Sequence, residues 1–227
     1  MRPPKALERP ACRTGSSPPS DAIGHATDVA PTLSLLTVLL LVRHGETAPN
    51  LEGRLLGRAD PPLTPRGREQ AAEVARELPR PDLVVSSPLQ RALTTANAFG
   101  VEPRLDERWI ELDYGELDGR TLAEVPEETW SRWREDSSFA PPGGESLDAL
   151  GVRVRDACEE LAPVAAAGVV VVVSHVSPIK AALAWALGVT DAIAWRMYVE
   201  DAGVSRIDIG PLGPSVRWFN RGLTPGV

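Results

Sequence analysis

The sequence Leu36-Thr37-Val38-Leu39-Leu40-Leu41-Val42-Arg43-His44-Gly45 joins an apolar run of strand length to an arginine and a histidine. A second run, Val169-Val170-Val171-Val172-Val173, has the same character and is followed by Ser174-His175. Leucine and β-branched residues with almost no polar interruption are typical of strands buried on both faces. We therefore predict two strands, at residues 36–42 and 169–173, each followed closely by a histidine.

Helices are predicted around these strands from capping residues and apolar spacing. Three Ser/Thr-Pro pairs have the pattern of a helix start, in which an N-cap residue precedes a proline in the first turn. These pairs are Thr64-Pro65, Ser87-Pro88 and Ser177-Pro178. A longer helix is predicted from about residue 146, and further strands at residues 83–86, 195–199, 203–209 and 216–219. This alternation indicates an α/β sandwich with a largely parallel sheet.

Length and charge limit the possible classes of protein. The 227 residues fit one domain of ordinary size with a short appendage. Residues 1–35 are rich in Pro, Ser, Ala and Thr, so we expect a disordered N-terminal tail before a domain at residues 36–227. The formal net charge of −7 argues against a nucleic-acid partner, which usually needs a basic face. A site for an anion must therefore be local, built from a few arginines.

Nothing in the sequence predicts a membrane segment or a secretory signal. The apolar stretch at residues 35–42 is too short to cross a bilayer. Arg2 and Lys5 are followed by polar residues and proline rather than by an apolar block. The two cysteines, Cys12 and Cys158, have no metal-ligand spacing and suit a reduced compartment. We expect a cytoplasmic protein with no membrane partner.

Basic side chains follow three of the predicted strands. Arg43 and His44 follow the first strand, Arg91 follows the strand at residues 83–86, and His175 follows the valine strand. Ligands of open α/β sheets bind outside the carboxyl ends of the strands. If the three strands are parallel neighbours, two imidazoles and two guanidiniums converge on one crevice.

Such a set of side chains is suited to a phosphate group. Guanidinium groups match phosphate oxygens two bonds at a time, and predicted helix starts at Ser87 and Ser177 would add N–H donors. A neutral imidazole is a nucleophile, and nearby arginines disfavour its protonation. A backbone carbonyl that accepts from the other ring nitrogen would fix the tautomer of His44.

A leaving alkoxide needs a proton donor, for which three carboxyl groups compete. Glu111 is flanked by Trp109-Ile110 and Leu112, and an apolar setting favours the protonated form that a general acid needs. Asp113 and Glu116 lie close by in the sequence and remain alternatives at this point.

Five segments in order resemble the histidine phosphatase superfamily, also called the phosphoglycerate mutase-like family. The resemblance spans residues 36 to about 220, and its most specific segment is Leu41-Val42-Arg43-His44-Gly45-Glu46-Thr47. The other segments are Asn50 with Gly57 and Pro62-Leu63-Thr64, then Ser86-Ser87-Pro88-Leu89-Gln90-Arg91-Ala92, then Glu111 to Gly119 with Pro142-Gly143-Gly144-Glu145-Ser146, and finally Ser174-His175. The resemblance implies a six-stranded, mostly parallel sheet with helices on both faces, which is a three-layer sandwich.

The resemblance also implies a role for each site residue. His44 would carry the phosphoryl group, and Glu111 would donate the proton and then act as the base for water. The phosphoryl oxygens would be held by Arg43, Arg91 and His175, and the phosphate-binding set would also include Asn50 and Gly57. The family implies no metal and no cofactor. The expected partner is a small phosphorylated substrate, and the expected assembly is a monomer or a homodimer.

Within this family the sequence favours a metal-independent phosphatase of small phosphate monoesters. The gap between Arg91 and His175 is short, whereas mutases typically carry a longer insertion that shields the phosphoenzyme from water. The alternatives are phosphoryl transfer of the phosphoglycerate mutase type and a catalytically silent phosphate-binding regulator. Departures from the common pattern at Pro49 and Leu117 leave the substrate open, and we expect residues 51–58 and 130–139 to select it.

Overall fold

The computed structural model of the protein describes residues 37–222, so the predicted tail at residues 1–35 lies outside the described part. Its centre is a six-stranded sheet with the order β3-β2-β4-β1-β5-β6. The strands are β1 (Val38–Arg43), β2 (Leu83–Ser86), β3 (Arg104–Leu105), β4 (Val169–Ser174), β5 (Val204–Gly210) and β6 (Gly213–Arg221). Strand β5 runs antiparallel to both of its neighbours, and the other pairs are parallel. The predicted mostly parallel six-stranded sheet is confirmed.

Six α-helices surround the sheet in the described part of the chain. They are α1 (Ala48–Leu51), α2 (Pro65–Glu77), α3 (Gln90–Asn97), α4 (Glu127–Glu135), α5 (Leu147–Ala165) and α6 (Val176–Leu187). Thr64 and Ser146 cap α2 and α5 by accepting from backbone N–H groups three residues further on, as their positions in the sequence predict. A proline in the first turn of α2 costs no hydrogen bond, because the N–H groups there have no partner inside the helix.

Side-chain alternation along β1 explains the three layers. Leu39 and Leu41 point to a core that includes Val154 of α5 and Ile179 of α6. Leu40 points to the opposite core, which includes residues of α2 and α3. The period of two sends successive residues to opposite faces, so an unbroken apolar strand needs helices on both.

Two helix starts and one strand differ from the prediction. Helix α3 begins at Gln90 rather than at Ser87, and the Ser87 hydroxyl instead accepts from the backbone N–H of Leu89. Helix α6 begins at Val176 with His175 as its N-cap, so the Ser177-Pro178 pair lies inside the first turn. Residues 195–199 do not form a strand. A 3-10 helix, Asp191–Arg196, occupies the beginning of that segment.

The region between β3 and α5 carries an aromatic cluster. Trp130 and Trp133 of α4 stack with a centroid distance of 5.8 Å, and Trp195 lies 5.9 Å from Trp133. Trp133 belongs to the core that includes residues of α5 and α6, and Trp130 packs against that core. Among residues 37–222, none of the helices combines the length and the apolarity that a bilayer crossing requires.

Candidate active site

The two histidines lie side by side because their strands are adjacent and in register. Arg43 of β1 pairs with Ser174 of β4, so the next residues, His44 and His175, leave the sheet together. The backbone N–H of His44 donates to Ser174 at 3.0 Å, and its carbonyl accepts from Ala202 at 3.1 Å. The imidazole rings are 5.0 Å apart between centroids. Sheet registry therefore positions both rings.

Hydrogen bonding and burial leave His44 with one reactive nitrogen. Its Nδ1 lies 2.7 Å from the carbonyl oxygen of Gly45. A carbonyl only accepts, so Nδ1 carries the proton and Nε2 keeps its lone pair. Burial lowers the pKa of His44 well below its ordinary value, and the charges of Arg43 and Arg91 lower it further. The ring is therefore neutral at physiological pH, as a nucleophile must be.

Residues that come late in the chain fix the direction of the Arg43 side chain. Its Nη1 donates to the carbonyl of Val199 at 2.7 Å, and its Nη2 lies 2.7 Å from a carboxylate oxygen of Asp201. Its Nε–H is buried and has no hydrogen-bond partner among the described residues. The guanidinium is thus anchored on one side and has a donor left on the other.

Arg91 is fully buried and engages protein groups with all three nitrogens. Its Nε donates to Nδ1 of His175 at 3.2 Å, and its Nη1 donates to the carbonyl of Ala59 at 2.7 Å. Its Nη2 donates to the carbonyl of Gly57 at 2.9 Å. Arg91 therefore links His175 to the loop at residues 56–59 through hydrogen bonds.

Both ring nitrogens of His175 have partners. Because Nδ1 accepts from Arg91, a neutral ring carries its proton on Nε2, which lies 2.8 Å from the hydroxyl oxygen of Ser87. Burial lowers the pKa of His175 well below its ordinary value, and the charge of Arg91 adds to the effect. Sequence reasoning missed this contact of Ser87, which it took only as a helix cap.

The carboxylate of Glu111 lies at the start of α6, in a polar rather than an apolar setting. It accepts from the backbone N–H of Leu112 at 2.7 Å, of Val176 at 3.0 Å and of Ser177 at 3.1 Å. The expectation of apolar surroundings for this group is therefore wrong. Its neighbours along the strand are apolar in sequence, but the buried carboxylate turns to the free N–H groups of a helix end.

The two alternative acids are placed differently from Glu111. Asp113 accepts from the backbone N–H of Gly115 and lies 3.3 Å from Nε of Arg58. Glu116 is exposed. Of the three carboxyl groups left open by the sequence, Glu111 is the one that lines the cavity beside His44.

Nine residues surround a cavity of about 100 Å³ beside His44, which we call the histidine cavity. Its lining residues are Arg43, His44, Asn50, Arg54, Leu55, Leu56, Glu111, Tyr114 and Val176. Tyr114 was not foreseen from the sequence, whereas Arg54 lies within residues 51–58, which we expected to select the substrate. Arg54 lies beyond the end of α1 at Leu51, so no helical spacing relates it to Asn50.

Asn50 and Gly57 have different placements. Asn50 lines the histidine cavity, and its side-chain oxygen accepts from the backbone N–H and the hydroxyl of Thr47. The N–H of Gly57 instead donates to Asp118 at 2.7 Å, and its carbonyl accepts from Arg91. Both backbone groups of Gly57 are therefore used to hold its loop, which is not the phosphate contact expected from the sequence.

The cavity combines a neutral imidazole, guanidinium charge and a carboxyl group on one wall. Such a set can bind an oxyanion, attack its central atom and exchange a proton with a departing oxygen. Within residues 37–222 no group of three or more His, Cys, Asp or Glu side chains is arranged to hold a metal ion.

Comparison with known proteins agrees with this chemistry. A family model described as histidine phosphatase superfamily (branch 1) matches residues 39–222. The chain belongs to this superfamily. Among curated histidine phosphatase relatives, phosphoserine phosphatase 1 of Hydrogenobacter thermophilus is 38% identical over 179 residues, covering 74% of this chain and 85% of that protein.

Further relatives and solved structures also match the chain. A bifunctional protein of Mycobacterium tuberculosis is 38% identical over 196 residues, which cover 82% of this chain. The chain spans 54% of the length of that relative. The solved structure of phosphoserine phosphatase from Entamoeba histolytica with 3-phosphoglyceric acid superposes with a TM-score of 0.76 at 29% identity, covering 81% of this chain and 96% of that one.

Proposed function

We propose that the protein is a phosphatase that hydrolyses small phosphate monoesters through a phosphohistidine on Nε2 of His44. The observation that carries the proposal is the state of His44, whose buried neutral ring has Nδ1 bound to the Gly45 carbonyl and Nε2 unprotonated. Relatives named phosphoserine phosphatase and glucosyl-3-phosphoglycerate phosphatase support a hydrolytic reaction.

In the first step the lone pair of His44 Nε2 attacks the phosphorus atom. The bond from phosphorus to the ester oxygen breaks, and that oxygen takes a proton from Glu111 and leaves as an alcohol. Negative charge on the transferring group is spread over its remaining oxygens. The anchored guanidinium of Arg43, which lines the cavity beside His44, would stabilise that charge.

In the second step water attacks the phosphohistidine. Glu111, now ionised, accepts a proton from the water, the bond from phosphorus to Nε2 breaks, and inorganic phosphate leaves. The N–H groups of Leu112, Val176 and Ser177 stabilise the carboxylate between the two steps. His44 returns to its neutral form, so the cycle needs no other reactant.

Release of inorganic phosphate from an aryl phosphate and from a panel of small alkyl phosphates tests the proposal. We expect the wild-type protein to release phosphate and to carry an acid-labile phosphoryl label on His44 when turnover is quenched. His44→Ala should abolish both signals. His25→Ala is the matched control, because it replaces the one histidine of the sequence that we do not assign to the site, and it should leave both signals unchanged.

The same preparation separates hydrolysis from a mutase reaction. With 3-phosphoglycerate, a phosphatase releases inorganic phosphate, whereas a mutase returns an isomeric phosphoglycerate. A wild-type protein that forms the isomer without releasing phosphate would contradict the proposal. A protein that binds phosphate but never becomes labelled would instead be a binding protein.

A further inference from the structure

A second cavity adjoins the histidine cavity and has a different character. We call it the aromatic cavity; its volume is about 110 Å³. Its lining residues are Leu55, Leu112, Tyr114, Trp130, Trp133, Leu147, Val176, Ser177, Lys180, Ala194 and Trp195. Leu55, Tyr114 and Val176 line both cavities, so a group attached to a phosphate at His44 extends into the aromatic one.

One cation lies among these apolar walls. Lys180 is on the same face of α6 as Val176, one helical turn further on, and helical side chains lean back towards the helix N-terminus. The side chain is half-buried, and burial lowers the pKa of Lys180 because it disfavours the charged ammonium. Lys5 and Lys180 are the two lysines of the sequence, in which arginine supplies nearly all positive charge.

Two N–H donors of the aromatic cavity have no acceptor within residues 37–222. No carboxylate of the described residues lies within ion-pair distance of the Lys180 ammonium. Trp133 is 1% exposed, and its Nε1–H is buried without a hydrogen-bond partner. Glu111, the charge whose attraction most favours the Lys180 ammonium, is already satisfied by backbone N–H groups.

A buried donor without a partner is costly, and a half-buried ammonium among apolar walls is stabilised by a ligand of opposite charge. A carboxylate has acceptor oxygens and no donor, so it is the group that matches these two unpaired donors. The remaining walls are leucine and tryptophan, which favour carbon over hydroxyl groups.

From these contacts we propose that the preferred substrate is a phosphate monoester whose leaving group has a compact apolar body and a carboxylate, and that Lys180 binds this carboxylate. This inference rests on the proposed phosphatase function, because it assigns the far end of the same substrate. The phosphate group of the substrate is held at His44 and Arg43, and Lys180 selects leaving groups that carry a carboxylate.

The test compares each carboxylate substrate with a neutral substrate of the same shape. The 2-, 3- and 4-carboxyphenyl phosphates are paired with the corresponding carbamoylphenyl phosphates, and kcat/KM is measured for each. For the best isomer we expect wild type to prefer the carboxylate by about tenfold or more, as for a charge-assisted hydrogen bond. Lys180→Met should bring this ratio close to one, and Lys180→Arg should restore part of it.

Arg66→Met is the matched control. It removes one positive charge from exposed α2, where Arg66 pairs with Glu69 at the surface, and should leave the ratio at the wild-type value. A ratio near one for all three isomers in wild type would overturn the inference while phosphate release upholds the phosphatase function. An equal loss on both members of a pair in Lys180→Met would also overturn it, because Lys180 would then act on the phosphate. If no aryl phosphate is hydrolysed at all, the proposed function itself fails.

Discussion

Arg91 shows how a single buried side chain can connect several parts of a site. Its guanidinium is fully buried and donates to His175 and to the carbonyls of Gly57 and Ala59. These bonds fix the tautomer of His175 and hold the loop after α1 against the sheet. The position of the residue after β2 predicted that it belongs near the site, but only the fold shows what its donors reach.

Replacement of Arg91 should therefore affect turnover and stability together. Arg91→Ala is expected to lower kcat by about a thousandfold, as for arginines that serve phosphoryl transfer. It should also lower the unfolding midpoint, because it leaves buried carbonyls without donors. Arg91→Lys should recover little, since an ammonium cannot reproduce the three-directional contacts. Phosphate release and urea unfolding measure the two effects, and a loss in kcat below tenfold would remove Arg91 from the site.

The effect of replacing Glu111 on kcat/KM should depend on the leaving group of the substrate. Glu111→Gln is expected to lower kcat/KM for alkyl phosphates by about a hundredfold or more, since alkoxides need a proton. Aryl phosphates should lose less than about tenfold, because phenolates leave without one. Asp113→Asn serves as the control and should affect both substrates alike. Equal losses in Glu111→Gln would contradict the role assigned to its carboxyl group.

At the scale of elements, the segment after β1 packs against the first turn of α2 without room for a side chain. A Cβ on Gly45 would lie 2.2 Å from the carbonyl oxygen of Gly67, and a Cβ on Gly67 would lie 2.2 Å from that of Glu46. Both neighbours are backbone atoms, which cannot turn aside as a flexible side chain can. This contact holds the residue after His44 in place.

Enlarging Gly67 should push these two elements apart. Gly67→Ala is expected to destabilise the fold by about 3 kcal/mol, the upper end of ordinary overpacking. It should also reduce activity, because the shift passes to His44. In Gly210→Ala a Cβ meets nothing closer than 4.0 Å, so this control should change stability by less than about 0.5 kcal/mol. Urea denaturation compares them, and equal stability of the two variants would contradict the packing argument.

The same scale shows what sequence patterns can predict. The buried strands β1, β2 and β4 follow from unbroken apolar runs, because burial alone dictates that pattern. The prediction based on the Ser177-Pro178 pair placed the start of α6 two residues too late. A proline is tolerated in the first helical turn, and the observed N-cap is His175, whose ring contacts Arg91 and Ser87 instead of capping the helix. Likewise, no local pattern could show that Glu111 meets N–H groups 65 residues away.

Burial of two neutral imidazoles makes the stability of the whole molecule depend on pH. Burial lowers the pKa of His44 and of His175, whereas in the unfolded chain both titrate near the ordinary value of 6.5. Below that pH the unfolded state binds more protons than the folded one, so stability falls as pH falls. The stabilisation that comes from keeping both imidazoles neutral is fully present above about pH 6.5.

Each histidine should lower the free energy of unfolding by up to about 1.4 kcal/mol for each pH unit below 6.5. We expect the free energy of unfolding at pH 5.5 to be lower than at pH 7.5, with the difference reduced in His44→Asn. Urea titrations of both proteins at the two pH values provide the comparison. The His25→Ala variant should behave as wild type, and an unchanged pH dependence in His44→Asn would contradict the assignment.

The anchoring of Arg43 by Val199 and Asp201 also has a consequence during synthesis of the protein. These partners are 156 and 158 positions downstream, so His44 leaves the ribosome long before the residues that orient the neighbouring Arg43. Contacts of such long sequence separation form slowly. A nascent chain that stops before Val199 would therefore display His44 beside an Arg43 side chain that lacks both of its anchors. If the proposed function holds, the site is complete only after residues 199–201 have been synthesised, when most of the matched domain at residues 39–222 has emerged.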